Sequence, residues 1–142
     1  MLCMLPLTLV NSARVLPLER LGYLGLGISA VGVVVEALAD HQKNVFKTKN
    51  PESFCDEGLW RFSRHPNYAG ELMVWWGLGM AAIPSLSATH RLLALLSPLT
   101  ITGLLLKVSG VPLLEKKYNE TYGDSEKYQD YKRKTPLLFP FL

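Results

Sequence analysis

Gly58–Glu71 reads GLWRFSRHPNYAGE, and Leu72–Ala82 continues as LMVWWGLGMAA. The first stretch places Arg61, Arg64, His65, Asn67 and Glu71 within eleven residues, and the second is an apolar run that carries two tryptophans. The step His65-Pro66-Asn67 predicts a helix start, because proline suits the first turn, where its missing N–H costs nothing. Open backbone N–H groups and a partial positive charge at a helix start favour an anion. Guanidinium groups such as Arg61 and Arg64 match phosphate oxygens. The expectation from these residues is a pyrophosphate seat at the mouth of a membrane helix. Asn67 and Glu71 are four apart and share a face, suited to a carboxamide or ribose hydroxyls.

Outward from this stretch, the chain is too apolar for an ordinary soluble domain of 142 residues. It is 49% hydrophobic and 19% charged, with a mean hydropathy of +0.15. The apolar residues are bunched. Leu21–Ala39 holds one charge, Glu36; Ala69–Leu86 holds one, Glu71; Leu92–Val111 holds one, Lys107. About 20 residues cross a hydrocarbon core, so these runs predict an all-α membrane bundle with three spans, the middle one starting at Pro66. Met1–Val10 is apolar but short and has no preceding basic residue, so it reads either as an apolar leader or as the tail of a truncated span. The formal net charge is +3, concentrated in Asp40–Pro66 and after Val111, while the Ser87–Arg91 link has Arg91 alone. The positive-inside rule puts both basic segments on the cytoplasmic side, where they can build one site.

Gly22, Gly25, Gly27 and Gly32 predict close helix packing for the first span. Glu36 and Asp40 share a face at its end. Asn50-Pro51 breaks the helix, Gly58 supplies a turn, Pro84 ends the second span, and Pro98 and Gly103 bend the third. After Pro112, Leu113–Tyr122 and Ser125–Lys134 are predicted as short amphipathic helices, with Tyr128 packed inside and other tyrosines and Arg133 available as a cover. Cys3 and Cys55 give no disulfide frame or zinc pattern, and His41, His65 and His90 are too scattered for a metal. Nothing in the charge pattern calls for nucleic acid. Because no GxGxxG follows a strand, a dinucleotide here would lie outside a Rossmann domain.

The set DHQKNVF, GLWRFSRHPNYAGE with WWG, and the tail PLLEKKY…YGD…YKRKTPLLFP resembles the C-terminal domain of the steroid 5-alpha-reductase family over about Glu36–Leu142. That superfamily also includes the isoprenylcysteine carboxyl methyltransferases, which share the RHPxYxG core. Asn67 after the proline, the Asp40-His41-Gln42-Lys43 element and Trp60 favour the reductase side. A tail with Glu115 next to Lys116, rather than paired glutamates, favours it too.

The resemblance implies one membrane domain over residues 1–142, with the N-terminal half of the family missing. It implies an NADPH-dependent oxidoreductase that reduces a carbon–carbon double bond of a steroid, sterol or other lipid-like substrate by hydride transfer. Asp40, Asn67, Glu71, Tyr122 and Arg133 would contact NADPH, and Arg61 and Arg64 its phosphates. No catalytic residue is assigned. The compartment implied is the endoplasmic reticulum in a eukaryote or the inner membrane in a bacterium. The alternatives are an S-adenosylmethionine-dependent membrane methyltransferase and a non-enzymatic sterol-binding descendant.

Overall fold

The computed structural model describes residues 20–139. Met1–Val10, read above as a leader or a truncated span, and Cys3 lie outside the described residues. Five α-helices follow in order: α1 (Arg20–Lys49), α2 (Pro66–Ala82), α3 (Ala88–Gly103), α4 (Val111–Tyr122) and α5 (Glu126–Lys134). Among the described residues there is no strand. The chain divides into two compact units. The first takes the chain up to Val33 with Glu71–Leu104, and the second takes Val34–Gly70 with Leu105–Leu142.

Two stretches are long and apolar enough to cross a membrane, Arg20–Lys49 and Thr89–Tyr122. Only 22% and 17% of their apolar windows are buried within the structure, whereas the core helix of a soluble protein would be mostly covered. On α1 the residues turned inward are Gly22, Gly25, Ser29 and Gly32, while Tyr23, Leu24, Val31 and Val33 are more than half exposed. Small residues inside and large apolar ones outside is the arrangement of a helix whose solvent is lipid. The chain is a membrane helix bundle. The middle expected span, α2, is helical over 17 residues and passes into the 3-10 turn Ile83–Ser85 at Pro84.

In the first unit α1 and α2 touch backbone to backbone at Gly25 and Gly77. A Cβ on Gly25 would lie 2.5 Å from the Gly77 carbonyl oxygen and 2.6 Å from the Ala81 nitrogen, and a Cβ on Gly77 would meet Gly25 in the same way. Pro98 sits inside α3. The Thr102 hydroxyl donates to the Pro98 carbonyl (2.6 Å) and accepts from Trp76 Nε1 (3.1 Å), so the bend also holds α2. Ala82, Leu86 and Ala94 form a small buried cluster.

Leu104–Val108 forms a π-turn before α4. The end of α1 and the loop after it are joined by two bonds. Trp60 Nε1 donates to the Ala39 carbonyl (2.9 Å), and the Leu59 N–H donates to Gln42 Oε1 (2.8 Å). Gly58 takes φ +59°, and any Cβ there would strike the Gln42 side chain. Ser125 caps α5 by accepting from the Tyr128 N–H (3.4 Å), and Lys127 pairs with Asp56 (2.7 Å).

Candidate functional site

The start of α2 is held by the end of the chain. The Arg64 and His65 N–H groups donate to the Pro136 (2.9 Å) and Leu137 (3.2 Å) carbonyls. Arg64 Nε donates to the Thr135 carbonyl (3.1 Å), and its Nη1 meets Glu115 Oε2. His65 Nε2 lies 2.9 Å from Glu115 Oε1, and Lys132 Nζ is 3.6 Å from the same carboxylate. Glu115 on α4 is therefore the junction between the motif and the tail. Its side chain and that of Arg64 are about one-sixth exposed, and the His65 side chain is buried. An ionised carboxylate only accepts, so His65 Nε2 carries the proton toward Glu115. The ring stacks on Tyr68 (centroids 5.7 Å apart). His65 Nδ1, Asn67 Oδ1 and the Tyr128 hydroxyl are buried with no partner among the described residues. Buried polar atoms are nearly always paired, so these three are candidate ligand contacts.

Beside this junction the tail contributes an aromatic group. The Phe54 ring contacts those of Tyr122, Tyr128 and Tyr131 at centroid distances of 5.7, 5.1 and 5.1 Å. Lys47 Nζ donates to the Tyr122 hydroxyl (2.8 Å), and the Tyr131 hydroxyl donates to the Trp60 carbonyl (2.6 Å). Burial pushes the Tyr128 phenol up to about 12, and burial raises that of Tyr131 further. Burial also raises the Cys55 thiol, with the charges of Asp56 and Glu57 adding to the effect. A cleft of about 520 Å³ runs along His41, Gln42, Phe46, Lys49, Cys55 and Glu57.

Of the residues singled out in the sequence, Arg64 and Asn67 fall within this motif region, and Tyr122 joins the aromatic group. Asp40 is exposed on α1. Arg61 is exposed and borders a surface cleft with Lys127 and Lys134. Arg133 is exposed and bonds Asp130 one turn back on its own helix. Glu71 is half-buried on α2 and belongs to the first unit. Glu115 as a contact, His65 and the Tyr128 hydroxyl were not foreseen. A signal for Glu115 was present: Glu115, Tyr118 and Tyr122 recur at helical spacing, which puts the acid on the aromatic face of α4.

Residues 1–135 match the family described as protein of unknown function (DUF1295). The chain belongs to that family. Among curated relatives, this DUF1295 protein is 34% identical over 90 residues to the methanethiol S-methyltransferase of Pseudomonas deceptionensis, covering 63% of this chain and 29% of that protein. It is 30% identical over 97 residues to methanethiol S-methyltransferase 1 of Bradyrhizobium diazoefficiens, covering 68% and 30%. It is 29% identical over 96 residues to the enzyme of the same name from Crocosphaera subtropica, covering 68% and 32%. The match spans less than a third of the length of each relative. No solved structure matches the chain.

These relatives overturn the expectation of an NADPH-dependent oxidoreductase acting on a carbon–carbon double bond of a steroid or sterol, since they are named for methyl transfer to a thiol. The site gives a physical reason. A pyrophosphate seat needs free backbone N–H groups and an uncommitted guanidinium. Here the Arg64 and His65 N–H groups are bonded to tail carbonyls and the Arg64 guanidinium is shared between Glu115 and Thr135.

Proposed function

We propose that this chain carries the cofactor-binding part of a multi-pass membrane methyltransferase that uses S-adenosylmethionine and a small thiol. The observation that carries the reading is Glu115 bridging Arg64, His65 and Lys132 beside three unpartnered buried polar atoms, in a chain whose relatives are S-methyltransferases. The residues fit the cofactor. Asn67 Oδ1 accepts a hydrogen bond from an ammonium or ribose hydroxyl. The aromatic faces of the tail would attract a cationic sulfonium. When bound, that cofactor supplies an electrophilic methyl group and departs as a neutral sulfide. Phe54, Tyr122 and Tyr128 exclude water, while Glu115 fixes the orientation and tautomer of His65 as an outer partner fixes an inner one. The basic segments at Lys43–Arg64 and Lys116–Lys134 support a cytoplasmic side for this site.

The test is titration of S-adenosylmethionine and NADPH into the purified chain in lipid nanodiscs, with Asn67→Ala and Glu115→Gln beside the parent. Saturable binding of S-adenosylmethionine, weakened roughly tenfold or more in each variant, about 1.4 kcal/mol, supports the reading. Binding of NADPH instead, or equal binding by both variants, overturns it.

A further inference from the structure

α1 has 30 residues, about 45 Å at 1.5 Å per residue, and a hydrocarbon core is about 30 Å thick. Its charged last turns therefore reach beyond the core. There Ala39 is fully buried, and Lys43 and Lys47 follow it at successive turns of the same face. Val34, Leu38 and Val45 mark the opposite, exposed side. Both lysines are half-buried. Lys43 Nζ stands 5.0 Å from the centre of the Trp60 ring. Lys47 Nζ donates to the Tyr122 hydroxyl (2.8 Å) and the Pro51 carbonyl (3.2 Å), and lies 5.5 Å from the Tyr122 ring centre. Tyr118 meets the Tyr122 ring edge-on at 5.8 Å. Among the described residues neither lysine is in an ion pair, and neither is Asp40, three residues before Lys43. By contrast Lys127, Lys132, Arg133 and Lys134 of α5 each face a carboxylate. Like charges one turn apart repel, so this face is built for an anion that neither the helix nor the tail supplies.

We propose that Lys43 and Lys47 seat the carboxylate of the methyl donor's amino-acid end, with Asp40 receiving its ammonium. The proposal rests on the methyltransferase reading above and adds which residues recognise the charged end of the cofactor. An ammonium has three donors. Lys47 directs two of them at protein oxygens, and Lys43 meets a ring face, so donors remain on both. The order acid, base, base along Asp40, Lys43 and Lys47 is the complement of an α-amino acid, which carries one carboxylate and one ammonium on a single carbon. The carboxylate relieves the repulsion between the lysines, and Asp40 offsets the charge of the ammonium. A short alkyl chain joins that end to the sulfonium, and the rings beside Lys47, those of Tyr118 and Tyr122, offer faces that suit a cation. Arg64 and Lys132 are committed to Glu115, which leaves the α1 pair as the cations of this region that can take the carboxylate. Their place opposite the exposed apolar side of the helix turns them toward a cofactor rather than toward lipid.

The experiment measures binding of three ligands to the full chain in phosphatidylcholine nanodiscs: S-adenosylmethionine, its decarboxylated form, and 5′-methylthioadenosine, which lacks the whole amino-acid end. The variants are Lys43→Met, Lys47→Met, Lys43→Arg and Asp40→Asn. Each methionine variant should weaken S-adenosylmethionine by about five- to tenfold and leave the decarboxylated form unchanged, which also shows that the variant is folded. Lys43→Arg, which keeps the charge, should recover most of the loss. Asp40→Asn should weaken S-adenosylmethionine and its decarboxylated form alike, since both keep the ammonium, and leave 5′-methylthioadenosine unchanged. Equal losses for S-adenosylmethionine and its decarboxylated form in the lysine variants, or no loss in either, would overturn the seat, and S-adenosylmethionine binding by the parent would then keep the methyltransferase reading standing. Absence of S-adenosylmethionine binding by the parent would overturn that reading, and the seat with it.

Discussion

Glu115→Gln tests whether the carboxylate, and not merely shape, fastens the tail onto the start of α2. The substitution keeps the side chain's size and still lets a carbonyl oxygen accept from His65 Nε2. It removes the negative charge facing Arg64 Nη1 and Lys132. Breaking a fully buried ion pair costs about 3–5 kcal/mol, and an exposed one about 0–1. The Arg64 and Glu115 side chains are 15% and 16% exposed, and Arg64 retains the Thr135 carbonyl. About 2 kcal/mol is therefore the expected loss, or roughly 30-fold in a local opening equilibrium.

The site of that opening is specified by two bonds, from the Arg64 and His65 N–H groups to the Pro136 and Leu137 carbonyls. Amide hydrogen exchange in nanodiscs reads them directly, because exchange through local opening reports the free energy of that opening. Exchange at the Arg64, His65 and Thr135 amides should quicken about 30-fold in Glu115→Gln, while amides within α3 should keep their rates. Replacing both partners with apolar residues, Arg64→Met with Glu115→Leu, should restore much of the protection, since no unpaired charge is then left. If the Arg64 and His65 amides change by less than about threefold in Glu115→Gln, the carboxylate does not fasten the tail and the junction described here is wrong.

Gly25→Ala should destabilise the bundle by about 1–3 kcal/mol, because its Cβ would meet backbone atoms of α2 that cannot turn aside; unchanged unfolding in mixed micelles would refute the close approach. Gly58→Ala should cost about 1–2 kcal/mol, from the left-handed backbone and the displaced Gln42 amide, and it should perturb Trp60 fluorescence; a variant as stable as the parent would mean that the turn relaxes. Cys55 prefers its neutral form when folded. Its contribution is thus full below the unfolded thiol value and is lost as pH rises through the higher folded value. Iodoacetamide should label Cys55, in a Cys3→Ser background, at least tenfold more slowly than a free thiol at pH 8, and labelling as fast as a free thiol would count against its burial and raised value.

The features legible in the sequence were those carried by local backbone chemistry. Pro66 opens α2, Gly58 occupies the left-handed turn, and Pro84 enters the turn after α2. In each case proline or glycine limits or frees φ irrespective of what packs nearby. The glycine spacing of α1 likewise announced the close approach realised at Gly25 and Gly77. The π-turn at Leu104–Val108 had no such mark, since LLLKV is equally at home in an α-helix.

The chemistry of the site was harder to read, because a sequence displays charges without their partners. Arg64 looked available for phosphate. Its counter-charge, Glu115, lies 51 positions away, and the Arg64 and His65 N–H groups just before the helix are met by carbonyls more than 70 positions away. The same motif can thus face a phosphate or be neutralised internally, and the tail decides between them. In this chain the tail supplies a carboxylate and carbonyls to the cationic motif and then covers it with Tyr128 and Tyr131. What remains unmatched is a set of single polar atoms rather than a cradle of donors. On the proposed methyltransferase reading, that residue of capacity suits a cationic sulfonium better than phosphates, and Glu115 rather than the shared motif is the side chain whose substitution tests the choice between methyl and hydride transfer.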